Sequence, residues 1–295
     1  MEEQKSKNWY DKAHKIALIL PALFLLFSIF YLYNFTQRNG DIIYKDVTLT
    51  GGTTITIFDS NQNIEKIISG LKAEFPDLKV REISDILTGK SSGFSVTTKA
   101  EVEKIKPALE KLLGYQLTDK NSSIEFSGAS LSSGFYYQLR YALILSFILM
   151  AIVVFAIFRN FMPSLIVVLC AFADIMMTIV TVDLLGIQLS SAGVIAFLML
   201  IGYSVDTDIL LTTRLIKKEE GGTINQRIYD AFKTGITMTL TSIAAVAVSL
   251  ILIYNFSDTL RQIFTILLIG LGFDILNTWV SNASLLKWYM EIKKK

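Results

Sequence analysis

The chain is poor in the side chains that most site chemistry needs. Its 295 residues include one cysteine, Cys170, and one histidine, His14. A lone cysteine excludes a disulfide framework or a cysteine-built zinc site within the chain. A lone histidine argues against a catalytic triad or a histidine-rich metal centre, because both set imidazole beside the reacting atom. No GxxxxGK[ST] phosphate loop occurs, so ATP hydrolysis is not expected. Basic residues are not interleaved with aromatics as on a nucleic-acid surface. No cofactor is expected. Charge is scarce as well, 18 % of residues against 52 % apolar, and whole stretches lack it. Mean hydropathy is +0.48. About twenty consecutive apolar residues cross a hydrocarbon core roughly 30 Å thick, so a simple cytosolic enzyme is excluded.

Six apolar windows of that length are present, near Ile16–Phe35, Leu139–Phe158, Pro163–Val182, Ser190–Thr212, Gly235–Asn255 and Arg261–Ala283. An even number puts both termini on one side. Lys5, Lys7, Lys12 and Lys15 precede the first window, and Lys287, Lys293, Lys294 and Lys295 follow or close the last. Arg159 separates windows two and three, and Arg214, Lys217, Lys218, Arg227 and Lys233 gather after window four. The opposite turns, Asp183–Leu189 and Phe256–Leu260, hold no lysine or arginine, so the positive-inside rule places both termini in the cytoplasm of a multi-pass cell-membrane protein. The first window exceeds the apolar core of a signal peptide, and no small-x-small cleavage site follows Phe35; it reads as a retained anchor.

The chain thus divides into 1–35, a cytoplasmic N-terminus with the first transmembrane helix; 36–135, an extracytoplasmic domain; and 136–295, a five-helix bundle. Within the polar segment the pattern predicts strand Asp46–Phe58, helix Gln62–Phe75, strand Lys79–Leu87, strand Gly93–Thr98, helix Lys99–Gly114 and strand Ser122–Phe126. Ile64, Ile67, Ile68, Leu71 and Phe75 recur at helical spacing, as do Val102, Ile105, Leu109, Leu112 and Leu113. Thr98 and Glu101 have capping-box spacing. Thr88–Gly93 reads as a turn, and Pro107 should kink the second helix or delay its start. The fold class is therefore an α-helical membrane protein, with six transmembrane helices and one small α+β domain of ferredoxin-like βαββαβ order. After window four, Ile224, Ile228 and Phe232 form an apolar stripe, which fits either a short interfacial helix or a loop running on into span five.

Four intramembrane acids stand out: Asp174 in span three, Asp206 and Asp208 in span four, and Asp274 in span six. An aspartate at mid-bilayer costs about 2.5–3.5 kcal/mol, so four should not accumulate without a partner, a cavity or a role. Arg214 lies two turns from Asp206, roughly 12 Å along the axis, too far to pair directly. Some of these acids are expected to carry protons and to hydrogen-bond across helices. They are candidates for a proton relay, Asp206 and Asp174 first; the alternative is structural glue. Asp183, at the end of span three, is expected to be solvated. Thr237, Thr239, Thr241 and Ser242 in span five suit close helix packing more than a polar pathway.

Thr50, Gly51, Gly52 and Thr53 at the first strand, Gly202, Tyr203 and Ser204 followed by Asp206, Asp208 and Arg214, Asp174–Thr178, and Thr237–Ser242 together resemble the SecF family, the smaller of two related subunits of the SecDF protein-export accessory. The resemblance covers nearly the whole chain. Bacterial members typically read Gly-Tyr-Ser-x-Asn-Asp, whereas Thr207 stands at the last position here, flanked by Asp206 and Asp208. Ala173 stands where bacterial members often have a histidine, and Asp274 where they carry small or polar residues. These differences look like the archaeal branch.

The resemblance implies membership of the wider resistance–nodulation–division group, with SecD, the Sec translocation channel, the translocating polypeptide and membrane lipid as partners. It also implies a role in late secretion on the outer side, driven by the proton gradient. An intramembrane aspartyl protease needs two membrane aspartates as an acid–base pair. Gly270–Asp274 (GLGFD) has one residue too many for the Gly-x-Gly-Asp pattern, and no Tyr-Asp pair occurs within a neighbouring apolar window. Half of a lipid or small-molecule exporter, or a scaffold without coupling, are the remaining readings.

Overall fold

The structure is a computed structural model that describes residues 10–59, 64–84, 91–216, 222–254 and 257–293. Lys5, Lys7, Lys217, Lys218, Lys294, Lys295, Phe256 and the turn residues 88–90 lie outside the described residues.

Among the described residues, six helical segments are long and apolar enough to cross a membrane: His14–Asn39, Ser132–Phe158, Phe161–Leu184, Ser191–Ile216, Ile224–Ile253 and Thr259–Lys293. They are built from helices α1 (Tyr10–Ala17), α2 (Ile19–Asn39), α6 (Ala129–Phe158), α7 (Phe161–Leu184), α8 (Ser191–Ile216), α9 (Ile224–Ile253), α10 (Asp258–Leu276) and α11 (Ala283–Lys293). Between α10 and α11 the last span widens into a π-helical turn, Asn277–Asn282. Spans three and four are the most enclosed, while the sixth-span helix α10 packs against α7, α8 and α9.

The sheet domain follows α2 in the order α3 (Val47–Thr50), β1 (Gly52–Ile57), α4 (Ile64–Leu71), β2 (Lys79–Ser84), β3 (Ser91–Thr98), α5 (Val102–Leu113) and β4 (Ser122–Ser127). The sheet order is β2-β3-β1-β4 and every neighbouring pair is antiparallel. This is the expected split βαβ topology. Alternation explains it: Ile55, Ile57, Phe94 and Val96 point to one face and are buried under Ile67, Leu71, Ile105 and Leu109 of the two helices. Each such side chain contributes about 1.5–3 kcal/mol on burial.

Several local expectations give way. The first strand starts at Gly52 rather than Asp46, because Val47–Thr50 closes one helical turn on the Asp46 carbonyl. Gly51 and Gly52 then turn the chain at φ +85° and +148°, and a Cβ on Gly52 would lie 2.4 Å from the Thr98 carbonyl oxygen. Thr98 and Glu101 form no capping box. The Thr98 hydroxyl donates to the Asp77 carboxylate at 3.2 Å and accepts from Ala100 N–H, and Glu101, at the N-cap, makes no side-chain cap. Pro107 sits inside α5, which begins at Val102; Pro107 and Glu103, whose carbonyl it leaves unbonded, are both exposed to solvent. Ser91–Gly93 belong to β3 rather than to a turn.

The stripe Ile224, Ile228 and Phe232 does not lie on a separate interfacial helix. Thr223 and Gln226 form a capping box, and α9 runs unbroken to Ile253. Ile228 packs with Leu211, Leu215 and Leu286, and the Phe232 ring meets Trp279 edge-on at 5.1 Å. Asp183 is not solvated: it is 3 % exposed. The segment after α2 folds back over the end of α7, where Tyr44 N–H donates to Asp183 Oδ1 at 3.4 Å and Leu189 N–H donates to the Tyr44 carbonyl. Ile43 and Leu49 of this returning segment join the core shared by α7, α8 and α10.

Candidate functional site

The intramembrane acids sort by which helix face they occupy. Asp174, Asp208 and Asp274 are each 0 % exposed, on α7, α8 and α10, at the level between two apolar clusters of the bundle. Asp206 is exposed. It shares the outward face of α8 with Gly202 and Tyr203, and a Cβ on Gly202 would meet no atom within 4 Å. Helical spacing is the reason: positions 204, 207, 208 and 211 face inward, so 202, 203 and 206 face out. Arg214 is half-buried one turn or more beyond and meets none of the three buried acids.

The three buried carboxyls are held by neutral donors. Ser204 Oγ donates to Asp174 Oδ2 at 2.5 Å, and Asn277 Nδ2 to Asp174 Oδ1 at 2.6 Å. Thr207 Oγ1 lies 3.1 and 3.2 Å from the two oxygens of Asp274. Asn282 Nδ2 donates to Asp208 Oδ1 at 2.6 Å. Thr278 Oγ1 stands between two acids, 2.9 Å from Asp208 Oδ1 and 3.2 Å from Asp274 Oδ1. Thr207 and Thr278 hydroxyls are themselves 3.5 Å apart, so the contacts join Asp274 and Asp208 into one network. Among the described residues no lysine or arginine is ion-paired with these acids. The buried Arg227 instead donates from Nη1 to the Leu215 carbonyl at 3.1 Å, where it caps the negative end of α8.

The π-helical turn supplies the donors. Residues five apart in an α-helix point about 140° from one another; the wider turn lets Asn277 serve Asp174 while Asn282 serves Asp208. Such turns inside α-helices frequently mark functional sites. Asn277, Thr278 and Asn282 are absent from the acid-based reading of the sequence. Their trace is the polar run Asn277-Thr278-x-x-Ser281-Asn282 in the middle of an otherwise apolar window.

Apart from the buried Thr239, whose hydroxyl neighbours the Asp274 carboxyl, the remaining motif residues are elsewhere. Thr50–Thr53 turn the chain into β1, and Thr53 Oγ1 donates to the Ala100 carbonyl at 2.7 Å, which locks the strand onto the start of α5. In span five Thr237 and Thr241 are exposed and back-bond to helix carbonyls, while Thr239 is buried. Within the described residues no group of three or more histidine, cysteine, aspartate or glutamate side chains is arranged to hold a metal ion.

Fold and site together define a six-span helical membrane protein with a ferredoxin-like domain and a carboxyl network at the centre of its bundle. Residues 108–292 match the family model described as protein export membrane protein SecD/SecF, C-terminal. Protein-export membrane proteins SecF from Methanolacinia petrolearia and Methanocaldococcus jannaschii are 38 % and 37 % identical to it; the alignments cover 96 % and 95 % of this chain and 96 % of each relative. That from Methanothermobacter thermautotrophicus is 40 % identical, over 96 % of this chain and 94 % of its own. The chain belongs to the SecF family of protein-export membrane proteins. Its relatives are named as export proteins, not enzymes. The crystal structure of SecDF, a translocon-associated membrane protein from Thermus thermophilus, superposes with a TM-score of 0.72 at 16 % identity, over all of this chain and 40 % of that one. At that identity the likeness is one of fold.

Proposed function

We propose that this chain is the SecF half of a two-part export accessory. It pairs with SecD in the cell membrane, keeps both termini in the cytoplasm, and couples proton movement through the buried carboxyls to work by the sheet domain on polypeptide emerging from the Sec channel. The pairing is supported by the outward face of α8: an exposed aspartate beside an uncovered glycine, in mid-span, needs a protein neighbour more than lipid. The solved relative is also more than twice as long as this chain, and this chain covers 40 % of it.

The observation that carries the coupling is Thr278. A hydroxyl has one hydrogen, and here it has a carboxylate oxygen on each side. Both contacts become hydrogen bonds when one of the two acids carries a proton and donates it to Thr278 Oγ1. Moving that proton from Asp274 to Asp208 reverses the hydroxyl and changes whether the π-helical turn is held more tightly to α8 through Asp208 or to its own helix α10 through Asp274. A coupling device needs two such states of differing proton affinity.

The test is a series Asp174→Asn, Asp208→Asn and Asp274→Asn, assayed for gradient-dependent secretion after the channel's own motor step. Asparagine keeps the volume and cannot exchange a proton. Asp274→Asn and Asp208→Asn are expected to lower secretion by about tenfold or more with the complex still assembled. Full activity in all three variants leaves the network as helix–helix glue.

A further inference from the structure

Away from the carboxyl network, a groove of about 480 Å³ runs along the C-terminal part of α2, at the end of span one that carries the sheet domain. Its construction is local. Gly40 ends α2 at φ +75°, in the left-handed region, and sends the chain back along the helix. Tyr44 of the returning segment then meets Phe35 edge-on at 4.7 Å. Phe35 stacks on Tyr31 at 5.8 Å, and Tyr31 lies 6.2 Å from Phe27. This column of rings forms a wall. Phe30, 68 % exposed, lines the lower part of the groove within the span.

Arg38 closes the upper end. It is exposed, and within the described residues it makes no ion pair or hydrogen bond. Asn34 and Asn39 beside it have turned their amide nitrogens back onto the helix carbonyls of Phe30 and Phe35. The groove therefore joins an aromatic, membrane-level half to a cationic half at the depth where headgroups lie.

We propose that this groove is a binding site for a phosphate-bearing membrane lipid, with the phosphate on the Arg38 guanidinium and the start of one chain along Phe27 and Phe30. Guanidinium matches phosphate in a planar fork. Charge complementarity selects this occupant: a partner's apolar helix would leave Arg38 unneutralised, and α2 packs on α7, not beside the uncovered face of α8. The site rests on the membrane-spanning architecture and is independent of proton coupling.

The experiment uses the full chain with its partner subunit, extracted in mild detergent. Native mass spectrometry counts retained lipid, and thermal-shift titration follows short-chain phosphatidylglycerol, the matching diacylglycerol and inorganic phosphate in parallel. One retained phospholipid per chain is expected, with stabilisation by phosphatidylglycerol that weakens about fivefold or more in Arg38→Ala and returns in part in Arg38→Lys. Phe30→Ala is expected to weaken phosphatidylglycerol while leaving assembly intact. Equal stabilisation by diacylglycerol, or by inorganic phosphate alone, would overturn the lipid site. So would an unchanged Arg38→Ala, or cross-linking of Phe30→Cys to a protein neighbour in place of lipid.

Discussion

Thr278 has one hydrogen to give and two carboxylates within 3.2 Å, and that shortage sets the chemistry of the bundle centre. A second residue-scale device centres on Asp41, just beyond the end of span one. Burial of Asp41 raises its carboxyl pKa, but hydrogen bonds from Lys45, Tyr136 and Ile42 N–H, with the Lys45 charge, outweigh burial and hold it below the usual carboxylate range. Lys45 Nζ is 2.9 Å away and Tyr136 Oη 2.8 Å. A depressed folded-state pKa contributes stability that is present above the unfolded value, about 3.9, and is lost as pH falls through the folded value. Thermal midpoints measured from pH 7 down to pH 3 should therefore fall more steeply for the native chain than for Asp41→Asn. At pH 7 the variant should be less stable by about 1 kcal/mol. Parallel curves would mean that Asp41 does not tie α6 to the segment after α2.

Among the elements, the last span is the least regular and the most consequential. A continuous α-helix through 277–282 would turn Asn277 and Asn282 to different sides, and only one of Asp174 and Asp208 would keep its amide donor. The sheet domain shows the opposite case, where regular alternation decides nearly everything and one turn is tightly specified. Gly52 occupies the left-handed side of φ space with the Thr98 carbonyl oxygen 2.4 Å from where a Cβ would stand, and backbone cannot step aside as a side chain can. Gly52→Ala is expected to destabilise the sheet domain by about 2 kcal/mol or more. Limited proteolysis of membranes should then cut this domain faster while the six-span core survives. Equal protection of both variants would show that the β1–β3 junction has more slack than its geometry implies.

At the scale of the whole molecule, two connections tie the sheet domain to the bundle. One is the expected covalent link into α6. The other is the returning segment 41–50, which crosses the end of α7, pairs with Leu189 in the α7–α8 turn, and takes a hydrogen bond from Ser191 N–H on Thr48 Oγ1. A shift of α7 against α8 at the carboxyl network is thus positioned to reach β1 directly. The proposed orientation is checked by cysteine labelling, since the lone native cysteine is buried. Lys104→Cys on α5 should react with an impermeant maleimide on intact cells, and Asp230→Cys at the start of α9 only after permeabilisation. The reverse pattern would invert the proposed topology.

Much of this was legible from residue order. Six apolar windows, and period-two and helical spacing between residues 46 and 126, are one-dimensional properties, and they determine spans and sheet topology because burial of apolar surface is their common cause. The presence of buried acids could be read the same way. Which acids meet could not. Asp206 and Asp208 are two residues apart, and only the packing of α8 against α7 and α10 turns Asp208 inward and leaves Asp206 outside. The π-helical turn, the enclosure of Asp183 by a returning segment, the burial of Ile228 and the edge-on contact of Phe232 with Trp279 are likewise tertiary outcomes. Each depends on contacts between residues far apart in the chain, where local preference is weak and packing decides.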